Sequence, residues 1–196
     1  MRTPGMQTMA NVIFRAASDQ DVPAIAALHA ESWRSTYRGV FRDAFLDGDV
    51  HEERRATWAK RLASPVDGQI VLLCTEQDLL RGFLCAYAQA DAGWGAFIDN
   101  LHVVPESKGS GIGTRLLHMA ANWADTKRPE LPPYLWVVQE NVAAQRFYSR
   151  RGADQRETVI LENPCGGSAK YVRYAWEDPA HMITQCATPG ARRSGG

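Results

Sequence analysis

Between Val103 and Gly113 the chain passes from an alternating apolar run to helical spacing across Lys108-Gly109-Ser110-Gly111-Ile112-Gly113, and no other segment restricts the fold as tightly. The run over 96–104 reads as a long strand. Pro105 ends its ladder because proline has no N–H to donate. Leu116, Leu117, Ala120, Trp123 and Ala124 then recur at helical spacing, which predicts a helix from 112 to about 125, stopping before Pro129. A strand followed at once by a helix leaves the first backbone N–H groups of that helix facing outward at its positive end. Glycines at 109, 111 and 113 remove the Cβ atoms that would keep those amides from closing on an anion, and Lys108 adds a mobile positive charge. A phosphate group is the expected ligand. Two better-known phosphate loops do not fit: a dinucleotide fingerprint needs glycine where Thr114 stands, and a nucleotide P-loop needs Gly-Lys-Ser/Thr.

The flanking pattern predicts a single α/β domain over 12–178. Val12-Ile13-Phe14 reads as a first strand. Ser18 and Asp21 mark a helix start, followed by Val22, Ile25, Ala26 and Leu28 at helical spacing through about Trp33. A second helix covers about 51–62, where Glu52, Glu53, Arg54, Arg55, Lys60 and Arg61 surround Trp58 as on a solvated face. Segments 69–75 and 80–88, split by Glu76-Gln77-Asp78, read as an antiparallel hairpin. Segment 134–138 is a compact strand, and 141–151 a helix closed by Gly152. Two last strands, about 158–161 and 170–176, flank Pro-Cys-Gly-Gly. A flexible start over 1–11 and a disordered tail over 179–196 are expected.

Composition narrows the partners. Lysine plus arginine equals aspartate plus glutamate at 22 each, so no long-range field draws the chain to nucleic acid or an anionic membrane. The four cysteines are widely spaced with no zinc pattern, no metal is expected, and no apolar run is long enough to cross a bilayer. A cytoplasmic protein with reduced thiols and a small-molecule or peptide partner is the expectation.

Leu101-His102-Val103-Val104-Pro105 followed by Lys108 to Gly113 resembles the acyl-CoA site of the GCN5-related N-acetyltransferases (GNAT), whose motif is Arg/Gln-x-x-Gly-x-Gly/Ala; here Lys108 takes the first position. A second segment, Asn141-Val142-Ala143-Ala144-Gln145-Arg146-Phe147-Tyr148, resembles that family's Asn-x-x-Ala-x-x-x-Tyr signature. Its ends lie close to two helical turns apart, so Asn141 and Tyr148 share a face. The resemblance implies a mixed, mostly antiparallel sheet of about seven strands flanked by about four helices. It implies that acetyl-CoA is bound by Leu101, His102 and Val103, by Lys108, Gly109, Ser110, Gly111, Ile112, Gly113 and Thr114, and by Asn141, Ala144 and Tyr148. It further implies that the backbone of Leu101 and Val103 holds the pantetheine arm and that the Tyr148 hydroxyl lies beside the sulfur. A phenol with a reference pKa near 10 is protonated at neutral pH and can donate to a departing thiolate.

The activity so implied is acetyl transfer to a primary amine of a small molecule or peptide; the alternative is a non-catalytic acyl-CoA-binding regulatory module. The amine must lose a proton to react. Asp99 is the first candidate base, because Phe97, Asp99, Leu101 and Val103 share one strand face unless a bulge intervenes. His102 should point the other way, as a satisfied histidine under the sheet. Some family members carry a glutamate where this chain has Phe97 or Trp136, which favours a water relay or an acceptor that arrives partly neutral. Trp33, Tyr37 and Trp136 are expected to line the acceptor side, and the resemblance places any homodimer contact on the last strands.

Overall fold

The computed structural model describes residues 12–187 apart from 89 and 164, so the flexible start expected over 1–11 and the tail beyond 187 lie outside the described residues. A seven-stranded sheet runs in the order β1-β2-β3-β4-β5-β7-β6. Its strands are β1 (Val12–Ala16), β2 (Gln69–Glu76), β3 (Leu79–Tyr87), β4 (Phe97–Val103), β5 (Tyr134–Val138), β6 (Asp154–Glu162) and β7 (Ser168–Ala175). Among the described residues the helices are α1 (Val22–Thr36), α2 (Asp43–Asp47), α3 (Val50–Ala63), α4 (Ile112–Lys127), α5 (Val142–Ser149) and α6 (Pro179–Cys186). Every strand pair is antiparallel except β4 with β5.

Period-two alternation sorts the side chains onto the two faces of the sheet. Leu72, Leu84, Ala86 and Ile98 pack beneath Leu116, Leu117 and Ala120 of α4, together with Met182 and Cys186 of α6. Val71, Leu73, Phe83 and Cys85 face the other way, against Ile25 and Ala26 of α1 and Trp58 of α3. A third cluster, Ala30, Trp33, Phe41, Leu46, Val50 and Cys165, joins the α1–α2 segment to the β6–β7 turn. The start of α1 is capped as expected: Ser18 and Asp21 form a capping box, and Arg15 grips Asp21 at 2.6 Å. That pair holds the Asp21 carboxyl down at about 2, the Arg15 hydrogen bond being the largest cause.

Three expectations need correction. The tail is ordered through 186, because the Asp178 carboxylate accepts the His181 N–H at 2.6 Å, Pro179 opens the first turn, and Met182 and Cys186 bury one helical face. Strand β6 starts well before 158, at Asp154, and ends one residue past 161; as an edge strand exposed on most of its length, it carries no apolar alternation to betray it. Helix α3 is not simply a solvated face. Arg54 is buried with its guanidinium 4.1 Å from the Trp33 ring centroid, and Arg61 reaches the sheet.

Candidate active site

The site begins where β4 and β5 part. These parallel neighbours pair at one register point, Phe97 with Tyr134, and Tyr134 N–H donates to Ala96 at 3.0 Å. Past that point the two strands share no further ladder, so the β5-facing edge of β4 from Ile98 to Val103 presents unpaired backbone groups to a cleft. The glycine loop closes one end of the cleft, and the β5–α5 turn carrying Asn141 closes the other strand's end.

At the loop, Pro105–Ser107 form a short 3₁₀ turn and α4 starts with Gly111 as its N-cap, with no side chain capping it. The first amides of α4 therefore have no intrahelical acceptor. Gly109 and Gly111 have φ of +84° and +91°, and a Cβ built on either meets nothing within 4 Å. They serve backbone shape and leave open space over the amides. Gly113 serves packing instead: a Cβ there would sit 3.2 Å from Phe147 Cζ, so its absence lets α4 and α5 approach. Thr114 accepts a hydrogen bond from Arg151 Nε at 2.8 Å and ties α4 to the segment just after α5. Lys108 is exposed beside the loop. A groove of about 420 Å³ flanks Ser110, Gly111 and Ile112, walled by Arg115 and by Arg81, which is paired with Glu76 at 2.9 Å. Uncapped amides, open space and cations fit a pyrophosphate. Replacing Lys108 with alanine is expected to weaken coenzyme A binding by less than about tenfold, because exposed pairs contribute about 1 kcal/mol or less and the amides remain. Isothermal titration would show this, and complete loss of binding would shift the main contact from backbone to lysine.

On β4 the register slips between Cys85 and Ala86: Asn100 faces Cys85, Ile98 faces Ala86, and Asp99 is the extra residue of a bulge. The bulge overturns the expected shared face. Leu101 and Ile98 lie on the α4 side, whereas Asp99 and Asn100 both point to α3, where Arg61 Nη1 donates to Asp99 at 2.7 Å and to Asn100 at 3.0 Å. An engaged carboxylate is a poor free base.

His102 lies on the α1 side as expected, with Nδ1 2.7 Å from Ser32 Oγ and its ring 4.6 Å from that of His29. Burial, then Lys108 and Arg54, push its pKa down to about 3. Its Nδ1 is engaged by Ser32 and does not serve as a free base. His29 is fully buried; Trp58 Nε1–H donates to its Nδ1 at 3.0 Å, and its Nε2 has no partner.

At the far side, Asn141 caps α5 by accepting the Ala144 N–H at 3.1 Å. Tyr37 lies near Asn141, and burial pushes its phenol upward, partly offset by that asparagine. Tyr148, 8% exposed, packs edge-on to Phe147 and Trp176. Burial, then the neighbouring Tyr37, push its phenol upward, partly offset by Arg151. Tyr37, at the end of α1, stacks on Phe41 at 4.6 Å, while Trp33 lies buried in the third cluster and forms core, not pocket. Trp136 points to the α3 side of β5 and stacks on Arg173, whose guanidinium lies 4.4 Å from both the Trp136 and Trp94 rings. Sequence reading did not single out Arg61 or Arg173. Only the long-range pairing of strands and helices brings them to the site.

Comparison with known proteins agrees with this geometry. The family model described as "Acetyltransferase (GNAT) family" matches residues 25–153. "Probable N-acetyltransferase Rv2775" of Mycobacterium tuberculosis is 28% identical over 152 residues, which is 72% of this chain and 79% of that protein. The PaiA N-acetyltransferase of Thermoplasma acidophilum, solved in complex with coenzyme A, superposes with a TM-score of 0.66 at 22% identity over 83% of this chain and 98% of that one. The yncA structure from Salmonella typhimurium with its cofactor acetyl-CoA gives 0.62 at 18% identity, covering 86% and 95% of the two chains.

Proposed function

The chain belongs to the GNAT acetyltransferase family, and we propose that it moves the acetyl group of acetyl-CoA onto a primary amine of a small molecule or peptide. Acetyl-CoA is the co-substrate of the family. One observation carries the reading: β4 and β5 part after Phe97 and Tyr134, with an uncapped glycine loop at the end of one strand and Asn141 and Tyr148 beyond the end of the other.

Acetyl-CoA supplies a thioester whose carbonyl carbon an amine can attack. The residues Lys108 to Thr114 hold its pyrophosphate through the amides and dipole of α4. The free backbone edge of β4 at Leu101 and Val103 orients the pantetheine and donates to oxygen as negative charge develops there. Asn141 and Ala144 border the arm on the α5 side. Tyr148 holds a proton at its hydroxyl for the sulfur, and its raised pKa keeps that proton in place at neutral pH. Asp99, locked to Arg61, orders the acceptor wall with Asn100 and Trp136. Thiol release from acetyl-CoA against a panel of primary amines tests the proposal. Release stimulated by at least one primary amine, with a matching acetylated product, is the expected result; tight coenzyme A binding with no stimulated release would make the chain a binding module.

A further inference from the structure

We infer that Arg61 of α3 is a positioning residue: by gripping both residues of the β4 bulge, it fixes which backbone N–H groups of that strand face the cofactor. The inference rests on the cleft between β4 and β5 being the acetyl-CoA site, and it gives the Arg61–Asp99 pair a role beyond the acceptor wall.

Parity sets the direction of each N–H. Along a strand, successive residues turn their N–H and C=O groups to alternate edges. Val104 N–H donates to Arg81 O at 2.9 Å, so Val104 faces β3, as do His102 and Asn100 at two-residue steps, while Val103 and Leu101 face the cleft. At the other end Ala96 O accepts the Tyr134 N–H at 3.0 Å, so Ala96 faces β5. Carried forward from Ala96 without interruption, the alternation would turn Asn100 and His102 to the cleft and put Leu101 and Val103 into the β3 ladder. One extra residue reconciles the two ends, and the register slip opposite Cys85 and Ala86 places it at Asp99. Among the described residues β4 has no further ladder with β5 past Phe97, so that phase is not held from the cleft edge.

Arg61 holds it from the sheet face. Neighbouring side chains of a regular strand point to opposite faces, out of reach of one donor atom. At the bulge Asp99 and Asn100 turn to the same face, and Arg61 Nη1 donates to Asp99 Oδ2 at 2.7 Å and to Asn100 Oδ1 at 3.0 Å. The arginine is itself braced: its guanidinium lies 5.1 Å from the Trp58 ring centroid and 5.9 Å from that of Tyr87, and Gln69 Nε2 donates to Arg61 O at 3.1 Å. Farther along the same face, Ser32 Oγ of α1 lies 2.7 Å from His102 Nδ1. A packing contact such as Arg61 on Trp58 survives in either register; the fork onto Asp99 and Asn100 exists only with the bulge.

Hydrogen exchange reads the phase directly. In the free wild type the Asn100 and His102 amides should be protected by the β3 ladder, and coenzyme A should slow exchange at Leu101 and Val103; the reverse pattern overturns the assigned phase without any variant. Arg61→Met keeps the stem on Trp58 and removes the donors. It should raise the coenzyme A Kd about tenfold, the scale of one or two lost hydrogen bonds, and lower kcat/KM for acetyl-CoA about 100-fold, the scale of a ~1 Å misplacement at a reacting centre. Protection at Asn100 and His102 should fall while the β2–β3 ladder keeps its own. Arg61→Lys, whose one ammonium can donate to both acceptors, should recover at least half of each loss on a logarithmic scale. Arg61→Gln carries the same expectation as Arg61→Met and replaces it if the methionine variant does not fold. A lower melting temperature with unchanged Kd and unchanged β4 protection makes Arg61 a packing residue and overturns the lock. So does an unchanged Kd with only the acceptor KM raised, which leaves Arg61 to the acceptor wall. The binding and exchange readouts need no turnover, so a wild type that binds coenzyme A but acetylates no amine sinks the acetyl-transfer reading alone.

Discussion

Replacing Tyr148 with phenylalanine is expected to lower kcat by about 100-fold or more, the usual scale for removing a general acid, while leaving coenzyme A affinity nearly unchanged. The separation follows from where the two ends of the side chain lie. The ring belongs to the large core cluster, edge-on to Phe147 and Trp176, and phenylalanine keeps those contacts. Only the hydroxyl is lost, and it lies where Tyr37 is felt. Thiol release in steady state, with calorimetric titration of coenzyme A alongside, separates chemistry from binding. Wild-type kcat in the variant would make Tyr148 a core residue and leave the thiolate without its acid.

The second large effect concerns acid. His29 and His102 sit with their rings 4.6 Å apart and tilted on the α1 side of β4, both held well below their usual pKa. Burial is the main cause for each, reinforced at His102 by Lys108 and Arg54 and at His29 by His102, Arg54 and Arg61. Folded, both imidazoles stay neutral; unfolded, each takes up a proton near 6.5. The unfolded chain therefore binds more protons in acid, and stability that is complete above about pH 6.5 is lost as pH falls toward about 3. Between pH 6 and 5, where most carboxylates are still ionised, each imidazole should cost about 1 kcal/mol. Urea unfolding at a series of pH values measures the slope. His102→Gln, which cannot charge, should remove about half of it, and a slope identical to wild type would show that His102 titrates normally.

Much of the fold was legible because local chemistry and long-range packing agree. The strand–glycine–helix junction, the Ser18–Asp21 box and the hairpin over Glu76 to Leu79 are each written in neighbouring residues. Other features leave no such mark. The bulge at Asp99 adds one residue to a strand and turns one carboxylate to the opposite face, and nothing in the alternation of Phe97 to Val103 distinguishes the two outcomes. Helix α3 looks solvated because its charges are many, yet Arg54 finds Trp33 and Arg61 finds Asp99 only after distant segments meet. Helix α6 did carry a signal, the Asp178-Pro179 cap with Met182 and Cys186 one turn apart, but it adjoins a stretch of glycine, arginine and serine that reads as tail. The backbone shape of the loop from Val103 to Gly113 was legible for the same reason as the junction. The contacts of Arg61 and Arg173 were not, since their partners Asp99, Trp94 and Trp136 come from separate elements.

The most direct measurement is a product balance for the best amine found: N-acetylated amine by mass spectrometry against coenzyme A thiol released in the same reaction. A ratio of one acetylated primary amine per thiol is the predicted result. Thiol released without N-acetyl product would contradict the proposed transfer, leaving a chain that binds the thioester but does not deliver its acetyl group to nitrogen.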